Sequence, residues 1–130
     1  MIMDKKILLA AIVTIFIGEI LLGLFLLNKN SNKDAGEFKL SDYQSFINNF
    51  PSEKMVDAIG SAAEAKKQAE KLWVEIYGES VKDNKPYIVF YDSANKVWLV
   101  KGSIPKNTIG GVPNILIQAD GKVLAVWHDR

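Results

Sequence analysis

The chain has no cysteine, a single histidine, four prolines and almost no excess of either charge, and each scarcity removes a class of function. Without cysteine there is no disulfide, no thiolate metal site, no cysteine nucleophile and no lipoprotein acylation site. The one histidine, His128, stands third from the end; no catalytic triad assembles around it, and no His or His–carboxylate cluster has the spacing of a transition-metal site. Sixteen Lys and Arg face fifteen Asp and Glu. From residue 34 onward the counts are 12 and 13, which speaks against a nucleic-acid surface, because neutralising phosphates needs a clustered excess of cations. The Gly-Gly stretch of residues 104–113 lacks the Gly-Lys-Ser/Thr of a phosphate loop and does not lead into a helix. Glu64, Glu70 and Glu75 alternate with lysines along a helix and need no catalytic role. Asp92 and Asp120 fall at turns, where aspartate bonds its own backbone. No enzyme and no cofactor emerges from these residues.

What is present first is a long apolar run. Residues 7–27 are 21 positions whose one charge is Glu19, about 31 Å as a helix, close to the hydrocarbon thickness of a bilayer. Lys5 and Lys6 precede it, and residues 28–34 offer no small-x-small cleavage site, so the run reads as an uncleaved single-pass anchor of the cell membrane, with the C-terminal domain extracytoplasmic. Glu19 in mid-run would cost about 2.5–3.5 kcal/mol on insertion scales. Its simplest reading is a protonated or snorkelling side chain, ahead of a contact with a partner. Residues 28–37 form a polar tether, and residues 38–130 are left for one small domain.

That domain is organised around residues 61–78, SAAEAKKQAEKLWVEIYG. Ser61 with Glu64 makes a capping box. Ala62, Ala65, Ala69, Leu72, Trp73 and Ile76 recur at spacings of three and four, which places them on one face. Small residues in the first half of that stripe let a sheet approach closely, and Gly78 supplies the positive φ that ends the helix. Upstream, Ser41 and Gln44 suggest a second capping box before Tyr43, Phe46, Ile47 and Phe50, an amphipathic helix of about two turns stopped by Pro51. Residues 52–60 read as a loop that admits one turn, and residues 79–85 as a polar link.

Four strands follow. Residues 86–92 and 96–103 flank a Ser-Ala-Asn turn, and residues 114–119 and 122–128 flank Asp120-Gly121, the dipeptide favoured in type I′ turns. Two prolines and Gly110-Gly111 make residues 104–113 a loop that lets the sheet change direction. Trp73, Trp98 and Trp127 are distributed as core residues. In each strand both faces are apolar, yet one helix covers only one face. The other face must be covered by residues 43–50, by a second copy of the chain, or by a different protein.

Several blocks together carry a resemblance: Ala65-x3-Ala69-x3-Trp73-x3-Tyr77-Gly78, Lys85-Pro86-Tyr87, Val97-Trp98-Leu99-Val100-x-Gly102-Ser103, Gly110-Gly111-Val112-Pro113 and Asp120-Gly121-Lys122-Val123-Leu124. In their order and spacing they resemble a family of bacterial immunity proteins with a nuclear-transport-factor-2-like fold, over about residues 56–128. The resemblance implies an α+β, cystatin-like cone, a helix wrapped by a bent antiparallel sheet of about four strands, behind the N-terminal transmembrane helix. Gly78, Gly102, Gly110, Gly111 and Gly121 would serve backbone geometry, and Trp73, Tyr77, Tyr87 and Trp98 the core. The resemblance further implies a non-catalytic protein that neutralises a cognate toxin by binding it, with no catalytic residues to carry over. Ile104, Lys106, Asn107, Thr108 and Ile109 of the long loop are the candidate partner-binding residues, with the apolar sheet face as the other docking surface. Two readings stay open beside it: a small-ligand-binding or enzymatic member of the same superfold, marked by a wide pocket lined by Tyr87, Trp98 and a buried carboxylate, and a structural envelope protein that forms a homodimer through its sheet.

Overall fold

The computed structural model describes residues 34–106 and 108–129. The apolar run of residues 7–27 lies outside them; among the described residues no helix is long and apolar enough to cross a membrane. Five strands form one mixed sheet in chain order: β1 (Gly36–Glu37), β2 (Ile88–Asp92), β3 (Val97–Lys101), β4 (Pro113–Gln118) and β5 (Val123–His128). β1 runs parallel to β2, and the other pairs are antiparallel. The four expected strands are therefore joined by a fifth, two residues long, at the end of what the sequence reads as tether. Its composition gives no strand signal, since Gly and Glu are both depleted in strands.

Two α-helices, α1 (Gln44–Asn49) and α2 (Ala62–Tyr77), pack on opposite faces of the sheet. α2 starts where the sequence places it. The Ser61 hydroxyl accepts the Glu64 N–H at 3.1 Å, and the Glu64 carboxylate accepts from the Gly60 N–H at 2.8 Å, one residue earlier than the reciprocal bond expected. Ala62, Ala65, Ala69, Leu72 and Trp73 are buried against Val89, Trp98, Val100, Ile115, Ile117 and Val123. The stripe ends there: Ile76 and Tyr77, both expected in the core, are 42% and 37% exposed. The last turn of α2 runs past the sheet, and Tyr77 instead sets its ring edge-on to His128 at 5.5 Å. Beyond Gly78 the expected polar link is a 3-10 helix, Glu79–Asn84, anchored by buried Val81.

The second face is covered from within the chain. Val97, Leu99, Leu116, Ala125 and Trp127 lie beneath Phe38, Leu40, Tyr43, Phe46 and Ile47, with Phe46 stacked on Trp127 at 4.5 Å. Residues 38–50 thus act as a strap, and the face offered to a second copy or a partner is occupied. The second capping box does not form. Residues Leu40–Tyr43 are a 3-10 turn leading into α1, with no side-chain cap on either, and Gln44 bonds Asn48 at 2.9 Å instead. The Asp92 carboxylate pins the strap, accepting the Leu40 N–H at 2.8 Å while also holding Asn95 in the β2–β3 turn.

β5 does not keep simple alternation. Leu116 pairs with Ala125 but Ile117 with Val123, so Leu124 is an extra residue, a bulge that changes which face each later side chain meets. Val123 therefore faces α2, while Ala125 and Trp127 face the strap. Nor is the β4–β5 turn type I′. Gly121 donates to the Gln118 carbonyl at 2.9 Å, and Gly121, not Asp120, has positive φ, which is a three-residue loop closed by a left-handed glycine. Residues 50–59, of which 52–59 belong to the stretch read as loop, run along the outer edge of β5, exchanging hydrogen bonds from Ser52 to Leu124, Val123 to Lys54 and Val56 to Gly121.

Candidate functional site

The loop joining β3 to β4 is held at its base and free at its tip. Gly102 donates to the Pro113 carbonyl at 2.9 Å, and Asp129 to the Val112 carbonyl at 2.9 Å. Ser103 is stapled to the segment before β2: its N–H reaches the Asn84 carbonyl at 2.7 Å, its hydroxyl the Pro86 carbonyl at 2.6 Å, and Asn84 returns a bond to the Ser103 carbonyl at 3.2 Å. Beyond this staple Ile104 is 51% exposed and Ile109 fully so. Lys106 and Thr108 are exposed as well, and Thr108 closes a turn onto Pro105. Asn107 lies outside the described residues. An isoleucine with its whole side chain in water forgoes about 1.5–3 kcal/mol of the burial that a partner's pocket would supply.

Beside the staple, an open groove of about 660 Å³ is lined by Lys66, Lys67, Glu70, Lys85, Pro86 and Tyr87. Sequence reasoning left Glu70 on a solvated helix face, but it is a fixed part of this wall. Its Oε2 accepts the Tyr87 hydroxyl at 2.7 Å and pairs with Lys85 at 3.2 Å. The Tyr87 hydroxyl, helped by Lys85, holds the Glu70 carboxyl below its usual range, while burial and the neighbouring Glu70 charge push the Tyr87 phenol up. Across neutral pH both groups therefore keep one protonation state, phenol and carboxylate, and neither is poised to exchange a proton. The signal that would have found the pair is long-range: Tyr87 at the start of β2 meets α2 seventeen residues earlier, and no local spacing encodes that.

A wide pocket lined by Tyr87, Trp98 and a buried carboxylate would have favoured the ligand-binding alternative. Tyr87 lines the groove and packs edge-on against Trp73 at 5.3 Å, whereas Trp98 is buried against Tyr91 at 4.3 Å and takes no part in the groove. Among the described residues two buried polar atoms lack a protein partner, Trp98 Nε1 and Asn114 Oδ1. They do not converge, since Trp98 belongs to the α2-side core and Asn114 precedes Ile115 of that core by one residue, which turns it to the other face. His128 is exposed, with Nδ1 at 2.9 Å from the Asp129 carbonyl. Among the described residues no group of three or more His, Asp or Glu side chains is placed to hold a metal.

A long helix on one face of a mixed five-stranded sheet and a short helical strap on the other define an α+β domain with an exposed apolar loop between β3 and β4. The family model for NTF2 fold immunity proteins matches residues 64–130, just over half of the chain, and the chain belongs to that family. No curated protein and no solved structure matches it.

Proposed function

We propose that this protein neutralises a cognate toxin by binding it, without catalysis, and that residues 7–27 anchor it in the membrane. Membership of the immunity family supports the first part, and the observation that carries it is the fully exposed Ile109 at the tip of a loop whose base is held by five hydrogen bonds. An apolar side chain carried on a loop with a fixed base suits insertion into a pocket on another protein. Ile104, Lys106, Asn107, Thr108 and Ile109 form the contact, and the toxin is held without chemistry. The sheet face invoked as a second docking surface, and as the seam of a homodimer, is already taken by the strap.

Co-expression with the toxin encoded beside it tests the reading. The full chain is expected to restore growth, and Ile104→Asp with Ile109→Asp is expected to abolish both rescue and co-purification, a loss of about 2 kcal/mol or more for a central anchor. Rescue that survives removal of residues 34–130 would defeat the proposal. Fractionation tests the anchor: the full chain should pellet with membranes, and a chain lacking residues 7–27 should not.

A further inference from the structure

Three of the twelve cationic side chains beyond residue 34 line one groove, and their pairing is unequal. Lys85 is engaged by Glu70 at 3.2 Å. Lys66 and Lys67, adjacent on α2 and about one turn before Glu70, are exposed, and among the described residues neither has a carboxylate within ion-pair distance. Among the described residues that line the wall the one acid is Glu70, and it is already held by Tyr87 and Lys85. The groove therefore presents a local surplus of positive charge on a domain that is otherwise close to neutral. It also adjoins the loop, because the Pro86 that lines it accepts the Ser103 hydroxyl at the loop's start.

Resting on the toxin-binding reading, we propose that Lys66, Lys67 and Lys85 receive an acidic polypeptide segment of the toxin, which lies in the groove while Ile104 and Ile109 fill an apolar pocket beside it. The apolar knob would supply the affinity and the lysines the orientation and the speed of encounter, the usual division between a desolvated anchor and a charged rim. A nucleic-acid strand fits less well. The fixed Glu70 carboxylate interrupts the cations in the middle of the groove, where a regular phosphate backbone would meet it, whereas an irregular peptide can step over it.

The test uses the purified full chain and a fluorescent octaglutamate peptide. Binding is expected at 50 mM salt, to weaken at least tenfold for Lys66→Glu with Lys67→Glu, to weaken less for the corresponding Gln pair, and to be unchanged for Lys122→Glu beside the Gly121 turn, with most of the difference screened at 0.5 M salt. Octaglutamate that ignores the Glu pair, or fails to bind at all, overturns the proposal, as does a twelve-base-pair DNA duplex bound more tightly through the same lysines. Thermal melting of the variants, expected unchanged because both side chains are exposed, separates loss of contact from loss of fold. In the rescue assay, full protection by the Lys66→Glu, Lys67→Glu chain overturns this inference and leaves toxin neutralisation standing. Failure of the unaltered chain to protect overturns both.

Discussion

Gly121 is the residue on which the β4–β5 hairpin turns. Its φ is +100, and a Cβ there would lie 2.1 Å from the Val56 carbonyl oxygen, so both its own backbone and the edge segment require glycine. Gly78 has a positive φ of +92 but nothing within 4 Å. Gly78→Ala is therefore expected to cost about 1–3 kcal/mol from backbone strain alone. Gly121→Ala should exceed it and also release residues 54–57, read as a lower urea midpoint and faster amide exchange at Val56. Asp92 acts at the same scale through charge. Asn95 and the Leu40 N–H hold its carboxyl below the usual range, so its stabilising contribution is present above the ordinary aspartate pKa and is lost as pH falls through about 4 toward the lowered value. Protection of the amides of residues 38–43, measured against the intrinsic exchange rate at each pH, should fall over that acidic window in the unaltered chain, and Asp92→Ala should show the lowered protection already at pH 7. Asp120-Gly121 was visible in the sequence as a turn, but its type was not, because type I′ and the longer glycine-closed loop share the same dipeptide and differ in the φ of Asp120 and in whether Ala119 belongs to the loop.

Among the elements, α2 was the most legible. Its capping box, its alanine-rich stripe and its terminating glycine are all local signals that agree with one another. Ser61→Ala should lower stability by about 1 kcal/mol in urea titration, the ordinary worth of an N-cap side chain, while Trp73→Ala should cost about 3–5 kcal/mol because the indole is fully buried. Where the stripe stops was not legible. Ile76 continues the spacing, but how far the sheet extends beneath a helix is set by strands that come later in the chain. The same limitation hid β1, too short to carry a pattern, and the Leu124 bulge, which a sequence of alternating apolar residues cannot reveal because every register buries something. Of the candidate contact surface, the Ile104 loop could be read from its prolines and glycines, whereas the lysine groove could not, since it joins α2 to the start of β2 across the fold.

For the molecule as a whole, the apolarity of both sheet faces was the informative sequence signal, and the strap is its explanation. Residues 38–50 lie outside the stretch that matches the family model, yet they bury the Val97, Leu99, Leu116, Ala125 and Trp127 side of the sheet. A chain beginning at residue 51 is expected to expose that surface, bind a hydrophobic dye and associate at micromolar concentration, with Phe46→Asp in the full chain giving a milder form of the same behaviour. If such a shortened chain stays monomeric and dye-free, the strap is dispensable and the covering of the second face carries little of the stability.

The run of residues 50–59 along β5 has a consequence for company rather than for shape. A sheet can recruit strangers only through its unpaired margins. On one side that margin is filled by the chain's own irregular ribbon, and on the other it tapers to Gly36 and the charged, exposed Glu37. Molecules crowded side by side at high local density could thus stand shoulder to shoulder without zipping into fibres.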